Sequence, residues 1–267
     1  MIPILPETAW REFRGAPSLQ GLNMTTHQAV IADADGKEHK CYVKAAPRDS
    51  HMPLTEAIAW MVACALDLPR PQFAAVLLLP VNKLRQHMKL DQHWLGYQTT
   101  LAFCSSTVVG KHLNAPWKWL AQLRKARAFG HADLPRIAAF DMWVENQDRH
   151  SGNFLRTRDG QYVPIDNEFI LYSLVWAATL TVGHQSLRNE ARQLLKVAGY
   201  TKFESSMTLA AALHQPAFVE ASPALRQFIC AFYVDPAQGV AAATAILQFL
   251  EQRAHPDWLA NELGRIV

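Results

Sequence analysis

The chain has 267 residues, 50% of them hydrophobic and 18% charged, which supports a large buried core and excludes a disordered or low-complexity polypeptide. Lys and Arg number 26 against 23 Asp and Glu, and the resulting +3 is too small for whole-molecule attraction to nucleic acid to be the main function. A chain of this length forms one large domain or two lobes, because single cores stop growing at roughly 250 to 300 residues.

The N-terminal stretch MIPILPETAWREF has no basic region followed by an apolar one, so no secretory signal is evident. Arg14-Gly15-Ala16-Pro17-Ser18-Leu19-Gln20-Gly21 then forms a glycine-containing loop. Two β-prone runs, Gln28 to Ala32 and His39 to Ala45, flank Asp33-Ala34-Asp35-Gly36 and predict a hairpin. A helix is predicted from Pro53 to Asp67, with Ser50 near its start and Pro69 just beyond its end. Its core stripe is Leu54, Ile58, Met61 and Ala65. Phe73 to Leu79 is an apolar run of strand length.

From Gln92 to Ala132 there is no acidic residue, while Lys111, Lys118, Arg124, Lys125 and Arg127 place +5 there and leave −2 for the remainder. Trp117 and Trp119 beside these cations could form a nucleic-acid surface. The preferred reading is an amphipathic helix, Trp117 to Arg127, with Leu120 and Leu123 inward and Lys118, Arg124 and Lys125 solvated. The chain is mainly helical from there, except at Asn153 to Ile165, where Asp159-Gly160 separates two short strand-like runs. The longest apolar stretch, Phe169 to Val182, is too short to span a bilayer and contains Ser173, Thr179 and Thr181, so it reads as a buried element and no membrane span is expected. Ala241 to Leu250 is a packing helix. Cys41, Cys64, Cys104 and Cys230 are far apart and form no C-x-x-C, which argues against a disulfide framework or zinc knuckle and fits a reducing cytoplasm. His51, His184 and His255 show no paired metal-ligand spacing. The organisation is α+β: a smaller mixed lobe, residues 1–105, leads into a larger helical lobe, residues 106–267.

Chemistry concentrates in Ala139 to Ser173. Asn146-x-Asp148-Arg149-His150-x-Gly152-Asn153 follows a helical segment and precedes a hairpin that delivers Asp166. Asp148 and Asn153 have the D-x-x-x-x-N spacing of a protein-kinase catalytic loop, in which the Asp accepts the substrate hydroxyl proton and the Asn binds Mg²⁺. Phosphoryl transfer needs hard oxygen ligands for the metal and one carboxylate free of metal for the hydroxyl. Asp141 shares a helical stripe with Leu134, Ile137 and Ala138, which makes it a partly buried carboxylate that holds loop N–H groups or a basic residue. His150 with Asp148 and Asn153 could also be a metal-dependent nuclease set, but such sites place the His on a hairpin and this loop follows a helix.

The string N-x-D-R-H-x-G-N followed by P-I-D-N resembles the catalytic and metal motifs of HipA-like kinases, relatives of the phosphatidylinositol kinases. The similarity is strongest over residues 139 to 173 and moderate over residues 40 to 71. It implies a bilobal, protein-kinase-like fold with a small β-rich N-lobe carrying one key helix, a larger helical C-lobe, and ATP in the cleft. It further implies Asp148 as catalytic base and Asn153 and Asp166 as Mg²⁺ ligands. Asn167 stands where the family usually has His or another residue, and no Phe-Gly follows Asp166.

A kinase also needs a strand lysine on the α/β-phosphates and a helix glutamate to orient it. Cys41-Tyr42-Val43-Lys44-Ala45 and Leu54-Thr55-Glu56-Ala57 supply Lys44 and Glu56 in those contexts. Glu56 lies among Ala59, Trp60 and Ala63 on a helix with few exposed positions, so it needs a partner. The ATP-binding set is completed by the loop glycines Gly15 and Gly21, whose neighbouring N–H groups could cradle phosphates, and by Ser18, which resembles the autophosphorylated serine of some HipA-like kinases. An ordinary turn before a strand remains open for this loop. The sequence therefore points to an ATP- and Mg²⁺-dependent phosphotransferase acting on a protein Ser/Thr hydroxyl, without direct nucleic-acid binding. The resemblance adds a toxin role with a small DNA-binding antitoxin as partner. A lipid or small-molecule kinase, and a nucleotide-binding interaction protein without turnover, are the alternatives.

Overall fold

Strand residues two apart share a face, and that periodicity builds the apolar side of the N-terminal sheet. In the computed structural model, which describes residues 1–15, 25–47, 50–113, 123, 128, 130–176 and 201–264, the strands are β1 (Ile4–Leu5), β2 (Trp10–Gly15), β3 (His27–Ala32), β4 (Glu38–Ala45), β5 (Ala74–Pro80) and β6 (Thr99–Ser106). They form one sheet in the order β1-β5-β6-β4-β3-β2, with β1 parallel to β5 and the other pairs antiparallel. Ala29 and Ile31, Cys41, Val43 and Ala45, Ala75, Leu77 and Leu79, and Ala102 and Cys104 form one buried cluster. Val81 and Leu84 of α2 (Val81–Arg85), together with Trp94, join the same cluster. Because successive strand residues face opposite ways, Tyr42 and Lys44 project from the other face.

The β3–β4 hairpin forms as its sequence dictates. Asp33 Oδ1 accepts hydrogen bonds from the Asp35 and Lys37 amides at 3.0 and 2.9 Å, and Gly36 takes φ +81°, which a side chain would resist. The helix α1 (Met52–Ala65) stops short of the expected Asp67. The Leu68 amide donates to the Ala63 carbonyl and the Asp67 amide to the Cys64 carbonyl, while Asp67 takes φ +49°. This is a Schellman closure with an aspartate in the left-handed position, and Pro69 follows it.

The chain divides into two compact units, one comprising Met1–Ala57 and Pro71–Val108, the other Ile58–Arg70 and Val109–Val267, with the division falling inside α1. The second unit contains a small antiparallel sheet in the order β7 (Gly110–His112), β8 (Phe154–Thr157), β9 (Tyr162–Pro164). Among the described residues its helices are α3 (Asp133–Trp143), α4 (Thr201–Ala211), α5 (His214–Phe232), α6 (Pro236–Ala254) and α7 (Trp258–Glu262). Ala138, Ala139 and Met142 of α3 pack with Met207 and Ala211 of α4 and Leu259 of α7. The Trp143 indole donates to the Leu250 carbonyl at 2.8 Å, tying α3 to α6. No helix among the described residues is long and apolar enough to cross a membrane. All four cysteines carry free thiols.

Two local expectations change. Leu123, expected to pack inward, is 59% exposed, and the rest of Trp117 to Arg127 lies outside the described residues. His184 and the end of Phe169 to Val182 also lie outside them. Within that apolar run Ile170 and Leu171 are buried, but Ser173 and Leu174 are exposed, because the chain enters a π-helical turn over Tyr172–Trp176. Strand β7 carries no sequence signal: it is three residues long and exposed throughout, so no alternation marks it.

The His214 ring is buried and stacks on Trp143 with centroids 4.5 Å apart, and burial lowers its pKa from 6.5 to about 3. The folded state holds this ring neutral, whereas the unfolded chain takes up a proton below its ordinary value. The contribution is therefore complete above pH 6.5 and lost as the pH falls from there toward about 3. Urea denaturation between about pH 7 and about pH 4.5 should show the wild type losing stability more steeply than His214→Phe, by up to about 1.4 kcal/mol per pH unit. Parallel profiles would show that His214 does not titrate on unfolding.

Candidate active site

Lys44 and Glu56 belong to the first unit. Strand alternation places Lys44 on the face opposite the apolar cluster, and its Nζ donates to Glu56 Oε1 of α1 in an ion pair whose side chains are 16% and 4% exposed. Two buried threonines brace the backbone just after the lysine: Thr25 Oγ1 donates to the Ala45 carbonyl and Thr100 Oγ1 to the Ala46 carbonyl. Gly15 ends β2 at φ +118°, opposite Gln28, in a conformation that strongly favours glycine. Ser18 and Gly21 lie outside the described residues.

The second unit holds Asp148, Asn153 and Asp166. Helix α3 ends as α1 does. The Asn146 amide donates to the Asp141 carbonyl at 2.8 Å, the Glu145 amide to the Met142 carbonyl at 3.3 Å, and Glu145 sits at φ +53°. The Glu145 carboxylate accepts from the Ser173 amide and hydroxyl on one oxygen and from Arg253 on the other. The chain then turns into the 146–153 loop. Asn146 Nδ2 donates to Asp141 Oδ1 at 3.0 Å, and Asn146 Oδ1 accepts from the Asp148 amide at 3.0 Å. Asn153 Nδ2 donates to the Asp148 carbonyl at 2.8 Å. With its nitrogen engaged by a carbonyl, the Asn153 amide has a fixed orientation, and Oδ1 is the atom it offers elsewhere. Asp166 takes φ +59°, a left-handed conformation uncommon outside glycine, in the segment leaving β9.

Arg149 joins these pieces and is fully buried. Its Nε donates to both Asp141 oxygens at 3.2 and 2.9 Å, and Nη2 donates to Asp141 Oδ1 at 3.0 Å. Nη1 reaches the Asn153 carbonyl at 3.2 Å and the Ile165 carbonyl at 2.8 Å, while Nη2 also donates to Asn167 Oδ1. All five guanidinium donors are thereby engaged. Burial pushes the Asp141 carboxyl above the usual carboxylate range, and Arg149 and then Asn146 pull it back. The two-oxygen contact with a permanently charged guanidinium favours the ionised carboxylate.

The sequence singled out Glu56, Asp141, Asp148 and Asp166 but gave Glu145, Arg149, Thr25, Thr100 and Asn146 no role. The signal for Arg149 was present: Asp141 called for loop N–H groups or a basic residue, and a cation stood eight residues on. Asn167, the departure from the family pattern, supplies the acceptor for Arg149's last donor.

The β-rich N-terminal unit and helical C-terminal region define a kinase-like fold. A Helicobacter pylori proinflammatory kinase, CtkA, is similar over 94% of this chain and 99% of its own at 13% identity, with a TM-score of 0.53. HipA of Shewanella oneidensis, solved with HipB and operator DNA, aligns with 94% of this chain and 66% of its own at 15% identity and a TM-score of 0.44. Among curated proteins no match is found. The family model for HipA-like kinases matches residues 26–168, more than half of the chain, and the chain belongs to that family.

Breaking the buried pair from one side strands a charge. Asp141→Ala should cost about 3–5 kcal/mol in urea denaturation. The double variant Asp141→Leu/Arg149→Met should lose clearly less than the sum of the two single losses, since neither charge is left without its partner. Additive losses would show that the two side chains do not act as a pair.

Proposed function

We propose that the chain is an ATP- and Mg²⁺-dependent phosphotransferase whose acceptor is a protein Ser or Thr hydroxyl. Membership of the HipA-like kinase family supports the reaction class. The observation that supports the site assignment is the bond from Asn153 Nδ2 to the Asp148 carbonyl, which holds the Asp148 backbone and the Asn153 amide together in one loop. In this reading the Asp148 carboxylate accepts the acceptor's hydroxyl proton as the oxygen attacks the γ-phosphorus and the bond to the β–γ bridging oxygen breaks, releasing ADP. Lys44, oriented by Glu56, binds the α/β-phosphates as a point charge.

Asn153 Oδ1 and the Asp166 carboxylate are the hard oxygen donors that Mg²⁺ prefers, and they would hold it. When bound, the ion neutralises charge on the phosphate oxygens. Asn153's fixed amide keeps its oxygen available without further ordering, and the Arg149 bonds to the Asn153 and Ile165 carbonyls hold both donor-bearing segments. By family likeness alone the proposal extends to toxin activity restrained by a small DNA-binding partner, which growth arrest on expression and its relief by a neighbouring gene product would reveal.

The test is transfer from labelled ATP with Mg²⁺ to the protein itself and to a cell lysate, with mass spectrometry of the labelled species. Asp148→Ala should lose at least about 10²-fold in transfer rate, the scale of a lost general base. Asp166→Ala and Lys44→Met should also be severely impaired. Undiminished transfer in the Asp148 and Asp166 variants would refute the site assignment. Label appearing in lipid or metabolite alone would move the acceptor away from protein.

A further inference from the structure

The geometry points to an anion-recognising docking ledge on strands β7 and β8, and we propose that it takes an extended acidic segment of the acceptor protein. The inference rests on the proposal of a protein acceptor and names what that acceptor carries. Lys111 of β7 and Arg156 of β8 are direct register partners, so both side chains stand on the same face of the small sheet. Like charges directly opposite one another on neighbouring strands are destabilising. Neither residue forms an ion pair among the described residues, and the hairpin's own carboxylate, Asp159, pairs with neither. Arg158, exposed on the β8–β9 turn, adds a third cation without an ion-pair partner there.

The Arg156 guanidinium lies along the turn, 3.5 Å from where a Cβ on Gly160 would sit. β7 is the edge of its sheet and all three of its residues are exposed, so its outer backbone groups meet no further strand among the described residues. A lysine on an edge is an ordinary guard against unwanted strand addition. A second cation directly across from it goes further, because it repels the first and rejects basic strands while favouring acidic ones. An acidic strand added to β7 would satisfy the edge and offset the repulsion together.

The ledge is tied to the catalytic loop by short covalent and hydrogen-bonded links. His112 of β7 contacts the Gly152 carbonyl through Nδ1 at 2.8 Å, and β8 begins at Phe154, immediately after Asn153. A segment bound there is tethered beside the residues proposed to carry the transfer, which raises the local concentration of a hydroxyl on the same polypeptide. Nucleic acid is the less favoured occupant. Its affinity depends on many phosphate contacts, and the ledge offers three cations on a chain of net charge +3.

The test is fluorescence anisotropy of a labelled peptide of alternating Glu and Thr, with its Gln–Thr analogue as the neutral control and a labelled DNA duplex as a second probe. Wild-type protein should bind the acidic peptide about ten-fold or more tightly than the Lys111→Glu/Arg156→Glu variant, and added salt should weaken the wild-type complex. Gly110→Ala leaves both charges in place but sets a Cβ 2.9 Å from the Arg156 carbonyl oxygen, so it should displace β7 and weaken the peptide as well. Thermal denaturation confirms that the charge variant is folded. Equal binding of acidic and neutral peptides, unchanged binding by the charge variant, or preference for the duplex would each overturn the proposal. Phosphate transfer to the peptide is measured separately. Acidic preference without transfer supports the ledge while counting against this acceptor, so the two readings fail by different observations.

Discussion

A guanidinium sealed from water is the constraint on which the second unit's chemistry depends. Arg149 cannot lose its charge, so in a fully buried position it must find an anion and partners for all five donors. Asp141 supplies the anion from α3, and the remaining donors go to the Asn153 carbonyl, the Ile165 carbonyl and the Asn167 side chain. Those acceptors lie in three separate stretches of chain: the helix, the 146–153 loop and the segment carrying Asp166. Because removing one partner of such a pair costs several kcal/mol, the arrangement holds these stretches together with little tolerance for alternatives. The pair contributes positional definition more than net stability, since buried ion pairs roughly offset their own desolvation.

Around that clamp the backbone departs from its easy conformations at related places. Asp67 and Glu145 close α1 and α3 in the left-handed region where glycine is usual, and Asp166 and Leu171 take positive φ on the path out of β9. Each such residue costs on the order of 1–3 kcal/mol and persists only where its surroundings determine it. At Leu171 the determinants are visible: the side chain is buried and its amide donates to the Val144 carbonyl at 2.7 Å. At Glu145 the carboxylate is held by Ser173 and by Arg253, whose guanidinium lies over the Phe249 and Trp258 rings. The C-terminal helices, which carry no recognisable chemistry of their own, thus fix the entrance to the 146–153 loop.

In the first unit the decisive factor is periodicity. Val43 and Ala45 belong to the apolar cluster, so the intervening Lys44 must face away from it, where Glu56 meets it. The sequence showed the β-prone run, the helix and a glutamate lacking exposed surroundings, and the pair was legible from these alone. Thr25 and Thr100 were not. A threonine in a β-prone context is unremarkable until tertiary contact shows its hydroxyl on the carbonyls that follow the lysine. Strand β7 and the outward position of Leu123 were equally hidden, the first for want of any alternation and the second because a helical stripe names a face without saying whether anything covers it.

The amino-acid sequence by itself determined the β3–β4 hairpin, α1 and β5, the α+β organisation, the D-x-x-x-x-N loop with its following aspartate, and the need of Asp141 and Glu56 for partners. These follow from local rules: turn chemistry, residue periodicity, and the cost of burying an unpaired carboxylate. Only the tertiary structure decided which cation met Asp141, that one arginine would gather the Asn153, Ile165 and Asn167 acceptors, and that Lys111 would stand opposite Arg156. Those outcomes depend on contacts between residues far apart in the chain, where register and burial choose the partner and residue type alone leaves many open.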